Sequence, residues 1–138
     1  MTITLIRYLL DSNACIRHLN GRALAIRVHL GKVPPAQIYV CSVVKGEMYA
    51  GAMRSSDPVR SLARQNAFLA KFVSLPFDDV AAEYYAQIRA HLLTIGQPIG
   101  PYDMQIAAIA IANNLTLVTH NTSEFSRVPR LSLEDWEV

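Results

Sequence analysis

The stretch "YLLDSNACI", Tyr8–Ile16, is an apolar run that stops on an acid, a hydroxyl and an amide: Asp11, Ser12 and Asn13. With the residues before it, the run reads "TLIRYLL" (4–10), which has the length and apolar content of a buried strand. A carboxylate placed directly after such a strand has two readings. It caps the next helix, or it is the first of several acids gathered to hold a ligand.

Further along the chain, three more runs of strand length follow: "QIYVCS" (37–42), "FVSLPF" (72–77) and "TLVTH" (116–120). Between them the apolar spacing predicts helices over about 13–31, 43–54, 58–71, 78–95 and 101–113. Strands alternating with helices predict an α/β fold with a central, mainly parallel sheet flanked by helices. The turns "GKVPPAQ" and "GQPIGP" place Gly and Pro where one helix stops and another starts. No repeat or linker divides the chain, so residues 1–138 read as a single domain.

Composition narrows the function classes. A hydrophobic fraction of 51% with only 17% charged residues argues for a packed core and against disorder. Cys15 and Cys41 form no disulfide framework and read as reduced, buried thiols. The N-terminal run is interrupted by Arg7 and ended by Asp11, which is not a signal-peptide pattern. "MQIAAIAIA" is too short to span a bilayer. A cytoplasmic protein without a membrane partner is the expectation. The net charge is +2, unevenly spread: residues 1–71 carry ten Lys/Arg against three Asp/Glu, residues 72–138 three against eight. The basic half suits a phosphate-bearing partner.

Two further acids resemble Asp11 in their setting. In "SVVKGEMYAGA", Glu47 falls on the helix face that also carries Val43, Val44 and Gly51. Lys45 points to the opposite side, so this carboxylate needs a partner from elsewhere in the fold. Ser42 is placed to cap that helix. In "IGPYDMQIAAIAIANN", Pro101 suits the first helical position, and Asp103 then lies in the first turn, where the macrodipole favours a negative charge. Asp103 also heads the buried stripe Ile106, Ala107, Ala110 and Ile111. Three inward acids brought together would repel one another and raise each other's pKa. A hard divalent cation removes that conflict, and oxygen ligands without a His/Cys cluster suit Mg²⁺ or Mn²⁺. In "LVTHNTSEF", Asn121 can cap a short helical turn with Glu124 in a capping box, or lend an oxygen near the metal.

Taken together, "LLDSN", "SVVKGEMYAGA", "GQPIGPYDMQIAAIA", "LVTHNTSEF" and the closing "VPRLSLEDW" resemble a PIN domain, of the VapC-type toxins of type II toxin–antitoxin pairs. The resemblance implies a PIN-like three-layer sandwich and a Mg²⁺-dependent endoribonuclease, with Mn²⁺ as a possible substitute. It further implies 5′-phosphate and 3′-hydroxyl products, inhibition by a VapB-type antitoxin, and a homodimer within the complex. Carried over residue by residue, the family's acids fall on Asp11, Glu47 and Asp103 as catalytic and metal-holding residues. Ser12 stands where Thr is usual, and Asn121 where many members have a fourth acid. Ser12, Asn13, Thr119 and Asn121 are expected to order the groups around the metal. Arg17, Arg22, Arg27 and Lys32 are candidates to hold RNA backbone.

Two rival readings stand beside it. One is a PIN-like RNA- or partner-binding domain without catalysis. The other is a phosphatase of the haloacid-dehalogenase type, which needs a second carboxylate two residues after the first; Asn13 stands there.

Overall fold

Five parallel strands in the order β3–β2–β1–β4–β5 form the sheet of the computed structural model, which describes residues 5–138. They are β1 (Tyr8–Leu10), β2 (Ile38–Cys41), β3 (Val73–Leu75), β4 (Thr116–Val118) and β5 (Leu133–Glu134). Tyr8 pairs with Ile38 on one side and Thr116 on the other, and Leu10 pairs with Val118. Leu9, Val40 and Leu117 are completely buried. Both faces of the sheet are covered, which is why its strands read as near-continuous apolar runs.

Seven helices complete the three layers: α1 (Ser12–Leu19), α2 (Leu24–Lys32), α3 (Ser42–Met53), α4 (Pro58–Leu69), α5 (Asp79–Thr94), α6 (Pro101–Ala112) and α7 (Thr122–Phe125). Asp57 and Asp78 cap α4 and α5 by accepting hydrogen bonds from Arg60 N and Ala81 N. In α6, Met104 and every residue from Ile106 to Ala110 are buried. This helix is apolar almost all round because α5 and α3 pack on it along with the sheet.

The structure corrects several expectations. The helix expected over 13–31 is two helices: the chain turns at Gly21, whose φ of +68° ordinary residues resist. The first strand starts at Tyr8, and Thr4, the first residue of the expected run, lies outside the described residues. The runs 72–77 and 116–120 keep only three strand residues each. Ser42 does not cap α3; it is that helix's first residue, and Cys41 takes the cap position without a side-chain bond. Leu133–Glu134 forms a fifth strand that no periodicity announced. Both cysteines are free and buried, and burial pushes the Cys41 thiol up to about 11. Among the described residues, no helix is long and apolar enough to cross a membrane.

The strand order has one consequence for the site. From β1 the chain builds outward to β2 and β3, then returns to place β4 and β5 on the other side of β1. The crevice at the carboxyl ends of β1 and β4 is therefore the switch point where α/β sheets bind ligands.

Candidate active site

Asp11 leaves β1 at this crevice, and its backbone N–H still donates to Val118 O across the sheet (3.1 Å). Its side chain does both jobs open to it. Oδ1 accepts from Ala14 N at 2.8 Å, capping α1, while the residue as a whole is 5% exposed. Burial drives its pKa up to about 6, with Asp103 and Glu137 adding to the rise. Hydrogen bonds from the Thr119 hydroxyl and the Ala14 amide pull the other way. Thr119, directly after β4, is itself 1% exposed.

Asp103 lies in the first turn of α6, half-buried. Burial raises its pKa, and the charges of Glu47 and Glu124 raise it further. Glu47 projects from α3, and Ser12 Oγ donates to its Oε1 at 2.6 Å. That bond, from the first residue of α1, is the partner from elsewhere that an inward carboxylate requires. Asn121 does not cap α7 with its side chain, contrary to the capping-box expectation. Its Nδ2 instead donates to Glu124 Oε2 (3.0 Å), and its backbone N–H donates to Thr119 Oγ1 (3.0 Å). A polar chain thus runs from Asp11 through Thr119 and Asn121 to Glu124, which acts on Asp103.

The crevice therefore holds Asp11, Glu47, Asp103 and Glu124, with no Lys or Arg paired to any of them among the described residues. The donor set is all oxygen, and burial first, then the neighbouring carboxylates, raise the pKa values of Asp11 and Asp103. This fits a divalent cation. No three of these carboxylates bring oxygens within 4.8 Å of one another; among the described residues the group that does so is His120, Asp135 and Glu137. Mg²⁺ usually keeps several of its waters and takes only one or two carboxylates directly, so it does not require a tighter cluster.

Of the other anticipated residues, Asn13 is exposed on α1 and touches none of these acids through a hydrogen bond. Arg17 is held by Glu137. Arg22 and Lys32 are exposed, and Arg27 lines a separate hollow with His18 and Leu24. Two features were missed. His120 Nδ1 sits 2.9 Å from Asp135 Oδ2 and 3.9 Å from Glu137 Oε2, because β4 and β5 are neighbours. The second is an open cleft of about 540 Å³ between α3 and α6, running from Glu47 to Arg54 and Tyr102. The signal for it lay in the face of α3 that carries Glu47, continued two turns to Arg54.

Comparison with known proteins agrees with this architecture. The family model described as PIN domain matches residues 8–131. The tRNA(fMet)-specific endonuclease VapC of Shigella flexneri is 36% identical over 132 residues, 96% of this chain and 99% of that protein. Ribonuclease VapC2 of Rickettsia felis is 33% identical, over 94% of this chain and 98% of its own length. The crystal structure of DNA-bound VapBC from Salmonella typhimurium aligns at a TM-score of 0.90 and 35% identity, covering 96% of this chain and 99% of that one. With its parallel five-stranded sheet and a crevice of carboxylates at the switch point, this chain belongs to the PIN-domain family.

Proposed function

We propose that this protein is a Mg²⁺-dependent endoribonuclease and the toxin of a type II toxin–antitoxin pair. The observation that carries the reading is the crevice itself: carboxylates from the end of β1 and from α3, α6 and α7 lie around the switch point, with no Lys or Arg paired to them among the described residues. The VapC relatives named as endonucleases, and the VapBC complexes among similar structures, support the same assignment.

Asp11 and Asp103 are the proposed holders of the cation, with Glu47 completing the set. When bound, the cation supplies charge neutralisation at the phosphate and a more acidic water. The protein's own part is orientation. The Thr119 hydroxyl and Ala14 amide favour the ionised form of Asp11 against its burial. Ser12 fixes one oxygen of Glu47, leaving the other to accept a hydrogen bond from the attacking water. Asn121 fixes Glu124 at the edge of the same crevice. Hydrolysis in this arrangement leaves 5′-phosphate and 3′-hydroxyl ends. Mn²⁺ is expected to substitute for Mg²⁺. A VapB-type antitoxin is the proposed partner, a homodimer the proposed unit within the complex, and structured RNA such as tRNA the proposed substrate.

The test is to incubate antitoxin-free protein with total RNA, with Mg²⁺ or with chelator, and to sequence the new ends. Discrete 5′-phosphate ends that need Mg²⁺ and vanish in Asp103→Asn support the reading. RNA binding without metal-dependent ends would instead favour a PIN-like binding domain that has lost catalysis.

A further inference from the structure

The cleft beside the acids has a definite chemistry. Its α3 wall carries Gly46, Glu47, Ala50 and Arg54; its α6 wall carries Tyr102 and Gln105. Arg54 caps the C-terminus of α3, seven residues after Glu47 and hence about 10 Å along the helix axis. Arg54 is exposed and enters no ion pair among the described residues. Tyr102 is 57% exposed although it immediately precedes Asp103. The floor is kept low by Gly46 and Ala50. A Cβ added at Gly46 would meet nothing within 4 Å, so a larger side chain there would stand in open space on the cleft floor.

We infer that this cleft is the RNA-strand subsite of the proposed nuclease, with Arg54 pairing a backbone phosphate and Tyr102 stacking on an unpaired base next to the scissile bond. The inference rests on the nuclease reading for what is cleaved, and on the cleft for how it is held. Guanidinium suits phosphate, which it can bind in a bidentate fork. An exposed tyrosine ring offers a face that any unstacked base can use, whereas bases inside a duplex are already stacked. A glycine in the middle of a helix costs stability, so a floor of Gly46 exchanges helix propensity for room. Glu47 marks one end of the cleft and Arg54 the other, so a strand lying along it places one phosphate near the acids and a neighbouring part of its backbone at Arg54. Arg54 and Tyr102 are thereby substrate-binding residues that touch RNA; they take no part in activating water.

The test measures binding of a fluorescein-labelled, mixed-sequence single-stranded RNA of about 12 nucleotides, in an Asp103→Asn background, across a salt series. Arg54→Ala is expected to weaken binding and to flatten the dependence of log affinity on log salt by about 0.7, one phosphate contact on a single strand. Arg54→Lys restores the slope. Tyr102→Ala is expected to weaken single-strand binding about 5- to 100-fold, with little effect on duplex RNA, and Tyr102→Phe retains it. Gly46→Leu raises helix propensity yet fills the cleft, so it should fold at least as stably as the parent and still lose RNA. In the active protein, Arg54→Ala and Tyr102→Ala raise KM far more than they lower kcat. Unchanged affinity and salt slope in Arg54→Ala and Tyr102→Ala would overturn the inference, leaving the cleft to another occupant, even if wild type cleaves RNA. Equal losses for single-stranded and duplex RNA in Tyr102→Ala would overturn the stacking assignment. If wild type makes no metal-dependent ends, the nuclease reading fails, while the binding series still decides the subsite.

Discussion

Asp11 shows how one residue serves fold and chemistry at once, and at what thermodynamic cost. It caps α1, which favours folding by about 1 kcal/mol. It is also buried beside other acids, with its pKa lifted from 3.8 to about 6. The native state therefore binds the proton more tightly than the unfolded chain does. Its contribution is most favourable below pH 4 and is lost as pH rises to about 6, a change of about 3 kcal/mol by linkage. In chelator, Asp11→Asn keeps an oxygen for the cap but removes the ionisation. It should be more stable than wild type at pH 7.5, with the difference shrinking toward pH 4; urea melts across that range would measure it. A difference that grows on acidification would contradict the burial argument. Ser12→Ala tests the neighbouring contact. Losing the bond to Glu47 Oε1 should lower kcat while leaving global stability within about 1.5 kcal/mol, since net hydrogen-bond contributions are of that order. Cleavage rates unchanged from wild type would show that Glu47 needs no such support.

At the scale of elements, what the sequence disclosed follows from how local each cause is. The strand before Asp11, the face of α3 and the stripe of α6 are written in apolar spacing within a dozen residues, and so were legible. The three acids were legible because each breaks such a stripe. The break between α1 and α2 rests on one residue, Gly21, inside an otherwise helical pattern. β5 has two residues, and its identity comes from pairing with β4 and from Trp136 beyond it. Trp136 is 1% exposed, stacked on His29 at 5.1 Å and set edge-on to Tyr8 at 5.0 Å. Those contacts join residues more than a hundred positions apart, which periodicity cannot register. For Asn121 the sequence left a local cap and a place near the metal both open; its side chain bonds Glu124, three residues on, and does not cap α7. Trp136→Ala should cost about 3–5 kcal/mol, as large core truncations do, visible as a lower urea midpoint with an unchanged slope. The two helix-associated glycines separate conformation from space. Gly21→Ala, at a positive φ, should destabilise by about 1–2 kcal/mol. Gly46→Ala, helical and unobstructed, should stabilise by about 0.5–1 kcal/mol. Equal effects at both positions would refute the backbone argument for the α1–α2 break.

For the whole molecule, the acids line a crevice at the edge of an apolar core, with Asp11 buried and Glu47, Asp103 and Glu124 partly exposed. Asp11, Glu47, Asp103 and Glu124 come from the start of α1 and from α3, α6 and α7, so a ligand that bridges them ties these helices together at the ends of β1 and β4. Any cation of suitable shape also relieves their repulsion. Mg²⁺ at 100 times its dissociation constant should raise stability by about 2.7 kcal/mol by mass action. On the proposed ligation by Asp11, cation and proton compete for its carboxylate, so this gain should increase as pH rises through about 6. A guanidinium offers the same relief with directed hydrogen bonds. An antitoxin segment that places an Arg among Asp11, Glu47 and Asp103 would therefore inhibit by occupying the cation's position. A segment disordered when free would fold on docking and reach the crevice with its apolar residues in a groove between helices. Titrating the purified antitoxin against wild type and Asp103→Asn at several Mg²⁺ concentrations measures this directly. Affinity should fall as Mg²⁺ rises for wild type, and should be weaker and less sensitive to Mg²⁺ for Asp103→Asn. Affinity independent of Mg²⁺ in both proteins would place inhibition away from the acids, on a surface that blocks RNA without touching the metal's ligands.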